Sequence, residues 1–342
     1  MAVIGLGRMG RFYAHTLASS APRVKLVAVA DSDPKARAAV QAELGSKPRA
    51  FERADDVLAL AEVDAVVVAT PTSTHAQVLI AAAEAGKAIF SEKPLALTLG
   101  DTHAALTAVE RAGVPLQVGF MRRFDPAYRQ AVAAIGAGQI GRPVTFKGVG
   151  RDPTCPPLDY ANPASSGGLV VDMGIHDFDL ARWLMSSEVE HVSAEGTLVA
   201  CDELATVGDI DNAVINLRFA NGAIGNIDLS RNARYGYDVR TEVLGSIGAV
   251  IVGGLSQAAV NGVQLLRQAA PQTSETPFFV TRFAAAYRTQ IDHFVDCLEQ
   301  GRPPAVGGQD ALAAFEIAHA ATLSWQTGRP VALADVRALA SH

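Results

Sequence analysis

Ala2-Val3-Ile4-Gly5-Leu6-Gly7-Arg8-Met9-Gly10 sets an apolar, strand-like run directly against a G-x-G-x-x-G turn, and a helical stretch follows. Strand, glycine turn and helix in that order are what the dinucleotide-binding fingerprint requires. The glycines permit the tight turn, the close approach of a pyrophosphate to the backbone, and tight helix packing. The helix N-terminus then offers free N–H groups and a partial positive charge to the phosphates. An ordinary Gly-rich turn has the same look, so a second feature matters. Asp31 closes the next strand, 21 residues after Gly10, where a carboxylate can accept hydrogen bonds from the adenosine ribose hydroxyls. The same charge repels a 2′-phosphate, and neighbouring Ser32 and Asp33 supply no cation, so NAD is expected over NADP; Lys35 and Arg37 weaken that preference.

Outward from this turn, residues 1–120 alternate short β-rich runs with Ala-rich helical stretches: Ala2 to Leu6, Leu26 to Ala30, Ala65 to Ala69, Ala88 to Ser91 and Leu116 to Gly119, each but the last followed by a helix. Parallel strands with right-handed crossovers follow, an α/β doubly wound Rossmann sheet. After a Pro- and Gly-rich passage over residues 150–168 the texture changes. One helix, Leu169 to Met185, precedes strand-like runs at His191 to Ala200, Asn212 to Phe219, Ala223 to Ser230, Tyr237 to Leu244 and Ala249 to Val252. Asn221-Gly222 between two of them is a hairpin signal, because both residues tolerate positive φ. A second α/β domain with a large, mostly antiparallel open sheet is therefore expected over residues 121–342. Its helical tail, Phe283 to Gly301 and Gln309 to Gly328, is long enough to pack back on the first domain.

With 342 residues, two domains each able to bury a core suit the length. A 49% hydrophobic and 19% charged composition suits a packed globular chain. The net charge of -6 and the absence of Lys/Arg runs argue against nucleic acid and anionic membranes as partners. Apolar stretches are too short to span a bilayer, and no basic leader precedes the first strand, so a cytoplasmic protein is expected. Cys155, Cys201 and Cys297 are odd in number and far apart, which points to buried thiols rather than a disulfide framework. They and the histidines form no metal-ligand spacing, so a metal-free mechanism is the default.

Three further stretches carry chemistry. Thr70-Pro71-Thr72-Ser73-Thr74-His75 follows the third of these strands, where ligands bind beside the carboxyl ends of parallel strands; its hydroxyls either bind ribose or cap the next helix. Ser91-Glu92-Lys93-Pro94 belongs at the same edge, so Lys93 is either a solvated lysine or a group at the nicotinamide end. The candidate cofactor-binding residues are thus Gly5, Gly7, Arg8, Met9, Gly10, Asp31, Ser32, Thr70, Thr72, His75, Glu92 and Lys93. Finally, Asp172, His176 and Asp179 fall at i, i+4 and i+7, sharing one face of a helix whose Leu-Val-Val and Leu180 to Met185 runs imply burial. Polar groups in such a helix need a partner or a role. Alcohol oxidation needs a base, and imidazole, with an unperturbed pKa of roughly 6.5, suits working pH. His176 is the expected base; Asp172 orients it or binds a neighbouring hydroxyl, and Lys93 stabilises the developing alkoxide.

Taken in order, GLGRMG, Glu92-Lys93-Pro94, Gly119-Phe120-Met121-Arg122-Arg123-Phe124-Asp125 and the D-x-x-x-H of Asp172 and His176 resemble the successive signatures of the Gfo/Idh/MocA oxidoreductases. Arg151-Asp152-Pro153, the Ser-Gly-Gly before the helix, Gly174 to Asp179, and Arg234 to Asp238 are similar to that family's inositol dehydrogenase branch. The resemblance covers nearly the whole chain. It implies an NAD-dependent oxidation of one secondary hydroxyl of a cyclic polyol, myo- or scyllo-inositol, by Lys93, Asp172 and His176. Met121, Arg122, Asp179 and Tyr235 would line the polyol site. It also implies a homo-oligomer, often a tetramer, with an open sheet face buried between copies. His319, in a helix where relatives look blander, is a surface residue or a group lent to a neighbouring subunit's substrate site. Competing readings are dehydrogenation of a pyranose aldose, hydrolysis of a glycoside by transient oxidation on bound NAD, and a non-catalytic NAD-binding regulator.

Overall fold

Short runs of β-branched and small residues become β1 (Ala2–Ile4), β2 (Ala28–Ala30), β3 (Arg49–Phe51), β4 (Ala65–Val68), β5 (Ala88–Ser91) and β6 (Leu116–Val118). In the computed structural model, which describes residues 1–19, 23–45, 47–254 and 278–340, these strands form one parallel sheet in the order β3-β2-β1-β4-β5-β6. Every strand but β3 is wholly buried, as a parallel sheet covered on both faces demands. The order reverses between β1 and β4, so the Gly5–Gly10 turn and Thr70 leave the sheet at its switch point, where doubly wound sheets bind ligands. The edge strand β3, Arg-Ala-Phe, is short and partly exposed, and it carries no apolar run that would announce it.

The second sheet has seven strands. β7 (Pro143–Arg151), β8 (Val189–Thr197), β9 (Asn212–Phe219), β10 (Ile224–Ser230), β11 (Asp238–Gly245), β12 (Ala249–Val252) and β13 (Val331–Ala332) are ordered β12-β11-β7-β10-β9-β8-β13. All pairs are antiparallel except β7 with β10. Asn221-Gly222 makes the expected hairpin: Gly222 has φ 84°, and Asn221 Oδ1 accepts from the Ala223 amide at 3.0 Å. Two compact units result, Met1–Phe120 with Arg288–Leu312, and Met121–Tyr287 with Ala313–His342. The chain passes from one to the other inside the Phe278–Gln300 and Gly308–Thr327 helices.

Within the second unit the helix expected over Leu169 to Met185 is two segments, Gly168–Asp172 and Gly174–Met185, meeting at Met173, whose backbone stays right-handed helical. Gly174 lies where a Cβ would come within 3.1 Å of Phe178 and Leu229, so the second segment packs tightly on β10. Asp177, fully buried on this segment, accepts from Arg122 Nη1 at 2.8 Å. Its carboxylate rests on β7 at Gly148 and Gly150, where an added Cβ would meet it at 3.2 and 3.0 Å. Burial pushes the Asp177 carboxyl above its ordinary range, and the Arg122 charge and hydrogen bond act against that. Beside it, both Asp179 oxygens accept from Arg123, at 2.5 and 2.9 Å. Two adjacent arginines thus hold one helix to the 3-10 turn Met121–Phe124.

One expectation is overturned. Cys155 and Cys201 are joined by a disulfide, and Cys297 alone is a free, buried thiol. Separation by 46 residues gave no hint of it. The Asp211 carboxylate gathers the amides of Val199, Ala200 and Cys201, and Cys201 and Cys155 pack with Ala161 and Leu204, which brings the two sulfurs together. Because removing one member of a buried ion pair leaves the other uncompensated, Asp177→Ala should destabilise the second unit by about 3–5 kcal/mol. Chemical denaturation followed by circular dichroism checks this, and an unchanged transition would refute the structural weight given to the pair.

Candidate active site

At the nucleotide turn, each glycine has a distinct reason. A Cβ at Gly10 would stand 1.8 Å from the Gly5 carbonyl oxygen, and one at Gly5 would be 2.5 Å from the Ala69 backbone. Neither position admits a side chain. A Cβ at Gly7 would meet nothing within 4 Å, so this exposed backbone is open to a ligand at the N-terminus of the Arg8–Ser19 helix, with Arg8 exposed and Met9 half-buried beside it. Asp31 Oδ2 accepts from the Leu6 amide at 2.6 Å and Oδ1 from the Asp33 amide at 2.8 Å. A carboxylate oxygen has two lone pairs, so both retain capacity for a ribose hydroxyl. Arg37 turns away from phosphate duty: its Nη1 donates to the carbonyls of Asp31 at 2.6 Å and Ser32 at 3.1 Å. The Thr70 hydroxyl is buried and has no protein hydrogen-bond partner among the described residues, at the switch point where a ligand oxygen can satisfy it. Thr72 opens the next helix half-buried, and the Thr74 hydroxyl donates to Pro71 O at 2.9 Å, so neither threonine side chain caps the helix start. A cradle only glycine permits, a correctly placed ribose acceptor and an unsatisfied hydroxyl fit NAD.

The side chains of His75 and Glu92 are each engaged within the first unit. His75 is 2% exposed, with Nδ1 2.7 Å from Pro94 O and Nε2 2.7 Å from Thr70 O. Burial holds its pKa below the ordinary value, and the two carbonyls act against that. Glu92 points inward and accepts from the Tyr13 hydroxyl. Between them, Lys93 is half-buried.

In the second unit, Asp172 ends its short helix and His176 lies in the first turn of the next, both half-buried. Asp209 caps the Asp172 helix: its oxygens accept from the Leu169 amide at 3.1 and 3.2 Å, and Arg231, 1% exposed, stands 3.2 Å away. Asp172 lies near enough to Asp209 to add to the burial that raises the Asp209 pKa. Met121 and Arg122 are buried, the latter on Asp177. Tyr235 accepts from Arg151 Nη1 at 3.0 Å and donates to Asp238 at 2.8 Å. It lines a cavity of about 260 Å³ with Arg151, Asp228, Asn212 and Ser230. His319 is half-buried on the Gly308–Thr327 helix, and burial lowers its pKa. So Asp172 and His176 flank the junction of two helical segments at Met173, Asp179 and Arg122 are occupied by ion pairs, and Tyr235 belongs to an Arg151-centred network. Sequence reading missed Arg123, Asp177, Asp209 and Arg231; the one signal was Gly-x-Gly in β7, which marks a close approach.

A doubly wound domain with an NAD cradle, joined to a unit that offers a polar Asp/His turn, defines an NAD-dependent oxidoreductase. Its two halves match the family models of the oxidoreductase family's NAD-binding Rossmann fold over residues 1–120 and C-terminal alpha/beta domain over residues 132–333. The chain belongs to the Gfo/Idh/MocA oxidoreductase family. It is 41% identical to the scyllo-inositol 2-dehydrogenase (NAD(+)) of Bacillus subtilis over 98% of this chain and 96% of that one. It is 38% identical to the myo-inositol 2-dehydrogenase of Thermotoga maritima over 98% of each. A crystal structure of scyllo-inositol dehydrogenase from Lactobacillus casei with bound NAD(H) and scyllo-inositol superposes with TM-score 0.86 at 29% identity, covering 97% of this chain and 98% of that one.

Replacing Asp31 by Ala should weaken the preference for NAD over NADP, since the repelling carboxylate is gone while the glycine cradle stays. Ratios of kcat/KM for the two cofactors measure it; equal use of both by the unmodified enzyme would refute the assignment.

Proposed function

We propose that the chain oxidises one secondary hydroxyl of a cyclic polyol, myo- or scyllo-inositol, to the ketone. The observation that carries this reading is a division of labour across two helical segments that meet at Met173: Asp177 and Asp179 are buried on arginines, whereas Asp172 and His176, four residues apart across the junction, stay half-buried. Likeness to inositol dehydrogenases over nearly the whole chain supports the substrate.

NAD, when bound, supplies the hydride acceptor. His176 takes the hydroxyl proton, Asp172 orients the imidazole or holds a neighbouring hydroxyl, and Lys93 donates to the reacting oxygen as negative charge grows on it. Arg122 and Asp179 serve by fixing the helix, and Met121, Tyr235 and His319 remain candidate polyol contacts. We also read the enzyme as a homo-oligomer, with four copies expected. The open face of the second sheet exposes Val214 at 46%, Ile224 at 49%, Leu244 at 45% and Ile251 at 67%, more apolar surface than a solvated face needs. Light scattering at micromolar concentration should report a species larger than the monomer; monomer alone would count against it. No helix among the described residues is long and apolar enough to cross a membrane.

A panel of cyclitols and aldoses with NAD, followed by NADH absorbance, tests the substrate. The highest kcat/KM should fall on myo- or scyllo-inositol. An aldose ahead of both overturns the polyol reading, and glycoside cleavage without net NADH overturns the dehydrogenase. His176→Ala should lower turnover roughly two to four orders of magnitude, leave NAD binding intact and weaken the acidic limb of the pH profile. Near-parental turnover with that limb unchanged sinks the assignment of the base.

A further inference from the structure

Lys93 sits between two residues whose polar groups are both buried and both tied to other parts of the first unit. On its N-terminal side, Glu92 accepts from the hydroxyl of Tyr13, a residue with no exposed surface on the Arg8–Ser19 helix. That hydroxyl in turn accepts from Gln290 Nε2 at 2.9 Å, and the Gln290 carbonyl accepts from Gln117 Nε2 at 2.7 Å. The other Glu92 oxygen faces the Lys93 amide at 3.3 Å. Gly119 makes room for the carboxylate, since a Cβ there would lie 3.2 Å from it. On the C-terminal side, the His75 ring links Pro94 O to Thr70 O, both at 2.7 Å.

These groups lie in a core that otherwise favours apolar side chains: the Tyr13 ring packs edge-on against Phe90 at 5.3 Å, and Phe90 against Phe294 at 6.0 Å. Nothing in packing alone calls for a carboxylate there. A lysine side chain has four rotatable bonds, so its ammonium is held in place only if the main chain that carries it is fixed first. We infer that Tyr13, through Glu92, and His75, through Pro94, are positioning residues that clamp the Lys93 main chain from both sides. The inference rests on the reading of Lys93 as the group that donates to the reacting oxygen. It moves Glu92 and His75 from cofactor contact to support of the lysine. It also gives the nucleotide helix a second task, because the helix that starts at the phosphate-binding turn carries Tyr13 one and a half turns further on.

Tyr13→Phe removes one oxygen and keeps the ring. In the full enzyme with NAD and the best substrate of the panel, kcat should fall between about tenfold and a hundredfold, the scale of a small misplacement. The Kd for NAD, from isothermal titration, should stay parental. In the Lys93→Ala background the same change should cause no further loss, since two residues acting through one group are not additive. Glu92→Gln, which keeps an oxygen for Tyr13, should recover most of the turnover that Glu92→Ala loses, and it serves as the second route if Tyr13→Phe does not fold. Parental kcat in Tyr13→Phe, or an equal further loss on top of Lys93→Ala, overturns the clamp while leaving the proposed function standing. Lys93→Ala with near-parental turnover overturns the proposed role of Lys93 and the clamp with it.

Discussion

A carboxylate with no exposed surface, Asp177, lies on two glycines of β7 and takes its hydrogen bond from an arginine that is itself buried. Burying such a charge is unfavourable unless it is paired, and the pair works only in one geometry. That requirement fixes three elements at once: the Gly174–Met185 helix, the 3-10 turn Met121–Phe124 and the interior strand β7. The depth at which Asp177 sits also sets the rotation of its helix, and so leaves His176, one residue earlier, half-buried rather than in the core. A hydrophobic contact in the same place would tolerate sliding; a buried ion pair does not.

Glycine acts in both units as a licence for close approach, with different outcomes. In the first, Gly5 and Gly10 let backbone meet backbone, which leaves the open side of the turn to a ligand. In the second, Gly148 and Gly150 let a charged side chain lie flat on a strand. The first case follows a spacing tied to a known purpose and is legible from the sequence. The second has no such spacing, and the same glycines interrupt the β-pattern of Pro143–Arg151, so this interior strand of the larger sheet went unread.

The parts of the fold that periodicity shows were legible: five of the six parallel strands, the Asn221-Gly222 hairpin and the strands that flank it. At the candidate site the sequence singles out Gly5 to Gly10, Asp31, Lys93, Asp172 and His176, where chemistry and position coincide; the fold puts the glycine turn at the switch point of the first sheet, and the roles of Lys93, Asp172 and His176 are those proposed above. Pairings between distant residues were not. Arg123 with Asp179 and Tyr13 with Glu92 are separated by 56 and 79 residues, and nothing local records which charge meets which. Asp179 on one face with Asp172 and His176 reads as one polar stripe, yet in the fold a single arginine takes both its oxygens.

The Cys155–Cys201 bond encloses a stretch that contains Asp172, His176, Asp177 and Asp179. Closing a loop of 46 residues removes freedom from the unfolded chain on the order of 4 kcal/mol at room temperature in the chain-entropy account. None of that stabilisation is a contact in the native state. In a compartment that keeps thiols reduced the unfolded ensemble regains the freedom, so one amino-acid sequence has two thermodynamic stabilities, set by the redox poise of its surroundings.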